Sequence, residues 1–139
     1  ASGANNELSP ADIDAAASVI ASAGILLLQL EIPMATVAYA AALAKRHGVT
    51  VVLNPAPAPS EPLSPELLAN VDILIPNRTE MEAIAGVPEG ADPEETTAML
   101  GTYGVDTVVV TLGSAGAQQA IPTRDEVQRL AHEKGLTFA

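Results

Sequence analysis

The chain has 139 residues, 48% hydrophobic, 17% charged and 2% aromatic, which fits one compact domain large enough to bury a real core. Seventeen acidic residues against six basic ones leave a formal net charge of -11. That balance argues against nucleic acid or an anionic membrane as partner, because both require clustered cations. Cysteine is absent, which excludes disulfides, thiolate catalysis and Cys-type zinc sites, and two lone histidines, His47 and His132, argue against a His-based metal site.

The longest apolar run, Ile25 to Leu28 with Leu30 and Ile32 beyond, falls short of the roughly 20 residues that span a bilayer. The first six residues lack the charged-then-apolar pattern of a signal peptide, and no initiator methionine stands at the start. The expectation is a soluble cytoplasmic domain, processed or cut from a longer chain.

Ser9-Pro10-Ala11-Asp12 reads as a helix start, with a capping hydroxyl, a first-turn proline and an acid at the positive end of the dipole. The helix should run to about Ala23 and stop at Gly24. Ile25 to Leu30 then reads as a strand buried on both faces, with a buried helical turn as the alternative. Pro33 opens a helix that continues from Met34 to His47. Lys45, Arg46 and His47 suit its negative end, and Gly48 closes it.

Val49 to Leu53 is a β-branched strand ending in the stiff segment Asn54-Pro55-Ala56-Pro57-Ala58-Pro59. Pro65 to Ala69 predicts a short helix, Val71 to Ile75 a strand stopped by Pro76, and Thr79 to Ala85 a helix ended by Gly86. Asp92-Pro93-Glu94-Glu95 opens a further helix that ends near Tyr103-Gly104. Val105 to Thr111 is a fourth strand, followed by the turn Gly113-Ser114-Ala115-Gly116. A last helix is expected from Thr123 to Lys134, closed by Gly135, with Leu136-Thr137-Phe138 as a final strand. This alternation predicts a single α/β domain: a three-layer, Rossmann-like, mostly parallel sheet with helices on both faces.

In open parallel sheets ligands bind beyond the carboxyl ends of the strands. Four strand ends present polar groups there: Gln29 and Glu31, then Asn54, then Asn77 and Glu80, then Thr111 to Gly116. The run Thr111-Leu112-Gly113-Ser114-Ala115-Gly116 can offer backbone amides to phosphate oxygens, or it is a tight turn between two strands. Asn77 and Glu80 can serve a hydrated Mg²⁺ and phosphates, or they form a capping box at the next helix. Glu31 can accept from substrate hydroxyls, or it stabilises a helix N-terminus.

Taken in order, these motifs resemble the ribokinase family of ATP-dependent carbohydrate kinases, the PfkB group. The matching stretches are Gly3-Ala4-Asn5, Leu28-Gln29-Leu30-Glu31, Leu53 to Ala58, Asp72 to Glu80, and Val108 to Ala117. The resemblance covers about residues 1–118 and implies that Glu31 contacts a pentose. It implies that Asn77 and residues 111–116 (Thr111, Leu112, Gly113, Ser114, Ala115, Gly116) line a Mg-ATP site, with Glu80 serving the metal. Arg78 stands where ribokinases usually carry an acid.

The family's Gly-Ala-Gly-Asp string, which supplies the anion hole and the catalytic base, does not occur in this sequence, so no catalytic residue is assigned. After Gln118, where the family would continue with a hairpin and the catalytic helix, residues 119–139 read as a departing tail with a capped helix. The resemblance therefore implies a truncated or engineered kinase core, inactive alone. The alternatives are a ligand-free α/β protein and a kinase half that needs a complementing chain. An exposed sheet edge or apolar helix face would favour a homodimer.

Overall fold

The computed structural model describes residues 3–122, 124–133 and 135. After a 3-10 segment at Gly3–Glu7, the elements in chain order are α1 (Pro10–Ala15), α2 (Ala17–Ser22), β1 (Ile25–Leu28), α3 (Met34–Arg46) and β2 (Thr50–Leu53). They continue with α4 (Pro65–Leu68), β3 (Ile73–Leu74), α5 (Arg78–Ala85), α6 (Pro93–Thr102), β4 (Thr107–Thr111), β5 (Ala117–Ala120) and α7 (Arg124–Glu133). Among the described residues no helix is long and apolar enough to cross a membrane.

The five strands lie in the order β1-β2-β3-β4-β5, with the first four parallel and β5 antiparallel to β4. The α/β class and the mostly parallel sheet agree with the sequence. Each parallel step moves the same way across the sheet, so right-handed crossovers deliver their helices to a common face. The burial pattern agrees. Partner positions in the register, such as Leu28, Leu53 and Leu74, share a face because side chains alternate along a strand.

That face carries the core. Leu28, Val51, Leu53, Leu74 and Val108 pack there with Val37, Ala40, Ala41 and Ala44 of α3 and with Met81 and Ile84 of α5. Alanines on α3 let the helix sit close to the strands, which suits a chain so poor in aromatics. The other face bears Ile25, Leu27, Val52, Ile73 and Val109, and none of these joins the core cluster. A second helical layer does not lie among the described residues.

Several local expectations are corrected. The strand at Ile25 is not buried on both faces: it is an edge strand with Ile25 62% and Leu27 64% exposed. The predicted helix from Pro10 to Ala23 is divided at Ala16, whose ψ of 5° turns the chain between α1 and α2. Pro33 caps α3 rather than opening it, and β3 is reduced to two residues. Residues 119–120 of the expected tail belong to β5, which pairs with β4 from Val108↔Ala120 to Thr111↔Ala117 and completes a hairpin. The predicted helix over Thr123–Lys134 is present as α7 and packs on α6, where Val127 lies against Gly101. The Thr123 cap and the final strand at 136–138 lie outside the described residues.

The ends of the strands are tied together from both sides. At the amino ends, the Asp72 carboxylate accepts from the Val51 amide at 2.8 Å and pairs with Lys45, while the Asp72 carbonyl accepts from the amides of Asp106 and Thr107. One residue thus links α3, β2, β3 and the start of β4. At the carboxyl ends, the proline loop after β2 folds back on β1 through Leu30 N–H to Ala56 O at 2.9 Å.

Candidate functional site

The polar strand ends share one rim, as the parallel topology requires. On it the structure brings Asn77 and Thr111 together: they form an isolated parallel bridge beyond β3 and β4, and the Thr111 amide donates to Pro76 O at 2.9 Å. The start of α5 and the turn after β4 are therefore one continuous platform. Glu31 belongs elsewhere on the rim. It follows the edge strand β1, three strand spacings from β4, or about 14 Å at ~4.8 Å per strand.

Asn77 is the N-cap of α5, and its Oδ1 accepts from the Glu80 amide at 2.8 Å. Glu80 replies through Oε2, which accepts from the Asn77 amide at 2.8 Å. The capping box is thus formed. It fixes both side chains at the positive end of an eight-residue helix, an arrangement that also suits an anion. Among the described residues no three His, Cys, Asp or Glu side chains gather as a metal site. Glu80 could hold a magnesium ion only in company with water and phosphate oxygens, which is how that ion is commonly bound.

The turn joins two strands, as its local alternative reading allows. Gly113–Ala115 form a single 3-10 turn, with Leu112 before it and Gly116 after it. Leu112 N–H donates to Gly116 O at 2.7 Å, Ala115 N–H to Leu112 O and Gly116 N–H to Gly113 O, both at 3.1 Å. Those three amides are spent inside the turn. Gly113 and Ser114 head the 3-10 segment, and first-turn amides have no acceptor within their own helix. Their N–H groups are the donors the turn has to offer. Gly113 (φ 59°) and Gly116 (φ 94°) occupy the region that favours glycine, and a Cβ at either would meet nothing within 4 Å. Glycine is needed here for the path of the chain rather than for room. Leu112 is 45% exposed, which leaves an apolar side chain beside the amides.

Glu31 is exposed on the loop between β1 and α3 and lines an open groove of about 530 Å³ with Asn5, Gln29, Leu28 and Ile32. This groove holds the amide and carboxyl groups that sugar hydroxyls would use, set beside apolar walls. The 3-10 segment that carries Asn5 is held there by Thr36, buried in α3, whose Oγ1 donates to Leu8 O at 2.8 Å.

Glu82 escaped the sequence reading. It is 8% exposed, and its Oε1 accepts from the Gly90 amide at 3.0 Å and from Arg78 Nε at 3.3 Å. It anchors the loop over 87–92, which leads to the Asp92 cap of α6, and it holds Arg78 next to Asn77. The i,i+4 spacing of Arg78 and Glu82 was the available signal. Arg78 also borders a small hollow of about 140 Å³ with Val110, Leu112 and Gln118, beside the turn.

Comparison with known proteins places this geometry. Residues 1–134 match the model of the pfkB family of carbohydrate kinases, so the match runs past residue 118 and into the segment read as a tail. The ribokinase of Haemophilus influenzae is 45% identical over 119 residues, which are 84% of this chain and 38% of that protein. The ribokinase of Staphylococcus aureus is 38% identical over 131 residues, 92% of this chain and 41% of that protein. The structure of Arabidopsis thaliana ribokinase complexed with ribose and ATP superposes with a TM-score of 0.69 at 28% identity, over 89% of this chain and 47% of that one. The chain thus spans about two fifths of the length of the curated relatives it matches. By its sequence match and its fold, this chain belongs to the pfkB family of carbohydrate kinases.

Proposed function

We propose that this chain is the nucleotide-binding core of a ribokinase-like sugar kinase. Mg-ATP would lie over the platform made by Asn77 and residues 111–116, its phosphates meeting the Gly113 and Ser114 amides and the N-terminus of α5. Glu80 would meet the hydrated magnesium, and Glu31 would meet hydroxyls of a pentose. The observation that carries this reading is the bridge between Asn77 and Thr111, because it fuses a helix N-terminus and an exposed glycine turn into one anion-receptive surface. The relative bound to ribose and ATP supports the choice of ligands.

Phosphoryl transfer is not assigned to this chain alone. That reaction depends on positioning and on electrostatic stabilisation of the transferring group. The sequence holds no aspartate in a Gly-Ala-Gly setting to receive the sugar proton. This chain is therefore read as the binding part of such a kinase, with no catalytic base assigned to it.

The test is a titration of isotopically labelled protein with ADP and then Mg-ATP, followed by amide chemical shifts. Localised changes at Gly113, Ser114 and Asn77, saturating with ligand, are expected. A well-dispersed spectrum that stays still at saturating Mg-ATP would overturn the nucleotide assignment and favour a ligand-free α/β protein.

A further inference from the structure

The platform made by Asn77 and Thr111 offers an anion neutral groups: turn amides and the start of α5. Glu80 stands on it as an acid, and the chain as a whole carries a charge of -11. A nucleotide's phosphates meet like charge there unless a cation stands with them. Lys45 does not serve, because it pairs with Asp72 at the amino ends of the strands, the opposite rim, and Arg46 ends the same helix. Arg129 pairs with Glu133 on α7. Arg78 is placed differently. It follows Asn77 directly and is the first residue of α5.

Arg78 is held at one edge and open at the other. Its Nε donates to Glu82 Oε1 at 3.3 Å, while the side chain is 58% exposed. Glu82 is itself fixed, since it is buried and the same oxygen accepts from the Gly90 amide at 3.0 Å. A guanidinium has five N–H donors in a rigid plane, so with Nε engaged the Nη pair remains as an edge spaced for two oxygens of one phosphate. Arg78 also faces the glycine turn. With Leu112, which precedes that turn, and with Gln118 it borders one hollow of about 140 Å³. Glu94 borders the same hollow, so an anion is better placed over its mouth, toward the turn, than within it.

We propose that Arg78 binds the nucleotide's phosphates through its Nη edge, with Glu82 as the residue that positions it, and that this contact lets the chain hold a nucleoside diphosphate without magnesium. The proposal rests on the reading of the platform as a nucleotide site. Lysine is no substitute, because an ammonium is a single point charge and cannot keep one edge on Glu82 while presenting another. Glu82 gives up nothing when the phosphate arrives, since Gly90 N–H and Arg78 Nε both stay with it.

The experiment titrates the labelled chain with ADP in excess chelator and again with ADP and magnesium. The Gly113 and Ser114 amides and the Arg78 Nε–H signal are followed together. All three should move in chelator and saturate at the same ADP concentration. Arg78→Gln should weaken ADP in chelator at least about tenfold, the size of a lost charge-assisted contact. It should weaken Mg-ADP by less, because the metal then supplies the charge. Arg78→Lys should recover only part of the loss. Glu82→Gln keeps an acceptor for Gly90, and it should lower affinity in chelator by less than Arg78→Gln while shifting the Arg78 Nε–H signal of the free chain.

Equal affinity of Arg78→Gln and the unaltered chain for ADP in chelator would overturn the proposal. So would equal losses with and without magnesium, or full recovery by Arg78→Lys, which would reduce the effect to diffuse charge. Should Arg78→Gln fold poorly, the unaltered chain still decides. An Arg78 Nε–H signal that ignores ADP while Gly113 and Ser114 respond overturns the proposal and leaves the nucleotide reading standing. If neither amide responds to ADP or Mg-ATP, the nucleotide reading fails and takes the proposal with it.

Discussion

Leu27 and Leu28 are neighbours on one strand and differ in almost everything that matters for stability. Leu28 points to the face covered by helices and is 8% exposed; Leu27 points to the other face and is 64% exposed. On the covered face Leu53 and Leu74 are both at 0%, whereas on the other face the edge-strand residues Ile25 and Leu27 are widely exposed and Val52, shielded between neighbouring strands, is at 8%. Both faces are apolar, so composition does not distinguish them. Topology does, because four strands laid down in sequential order send their crossovers to one side. The sharpest way to break this comparison is a pair of truncations followed by urea denaturation. Leu53→Ala should cost about 2–5 kcal/mol, as for a buried leucine whose site cannot collapse. Leu27→Ala should fall within about 0.5 kcal/mol in the free chain, as for a surface position. Equal losses would mean that the second face is also packed.

The next effect in size concerns a buried charge on the covered side. Glu82 sits almost out of solvent and accepts from the Gly90 amide and the Arg78 guanidinium. Glu82→Ala leaves that amide without its partner and releases the loop leading to α6, which should cost about 1–3 kcal/mol. Amide exchange at Gly90 should accelerate by the matching factor. Glu82→Gln keeps an acceptor for Gly90 and should recover most of the loss. If Glu82→Gln is as damaging as the alanine variant, the ion pair with Arg78 carries the effect rather than the loop bond.

The contrast between faces also explains what could be read from the residues. Helix boundaries were legible wherever a local device marks them: Asp92-Pro93 before α6, Gly86 in the left-handed region after α5, Asn77 with Glu80 at the start of α5. Those signals act within one turn, so a linear reading finds them. The run Ile25–Leu28 misled for the opposite reason. Its uniform apolarity correctly reports a strand meant for cover on both sides, yet nothing local says whether that cover is present. The hairpin strand Ala117–Ala120 was implied only as the second strand of a tight turn and given no bounds, because its Gln118-Gln119 pair is polar and unbranched. It is held by cross-strand partners on β4, and such partners are invisible to periodicity. For the candidate site, the individual polar groups were legible at the strand ends. Their grouping required the register, which puts Asn77 beside Thr111 and leaves Glu31 at the far edge.

The smallest expected effects lie at α1, which packs beside α3 on the covered side, and they are read by pH. The Ser9 backbone N–H, and then the Ser9 hydroxyl, donate to Asp12 Oδ2 at 2.8 Å each and hold the Asp12 carboxyl below the ordinary carboxylate value against a small opposing effect of burial. A lowered folded value means the contribution is fully present above the ordinary carboxylate range and is lost as pH falls through the lowered one. Tyr39 on α3 behaves in the opposite sense. Its hydroxyl donates to Asp14 Oδ1 at 2.6 Å, and that bond, helped by burial and the Asp14 charge, raises the phenol above its ordinary value despite Arg46. Its contribution is therefore full below the ordinary phenol value and is lost as pH rises through the raised one. The attachment of α1 should be flat with pH between those limits and loosen beyond either. Carbon-detected titration of the Asp12 carboxyl and the Tyr39 ring checks both ends at once. Ser9→Ala should return Asp12 toward the ordinary carboxylate value, and Asp14→Asn should bring Tyr39 down while leaving Asp12 where it is. A Tyr39 titration unmoved by Asp14→Asn would show that burial, and not the bond between α1 and α3, holds its proton.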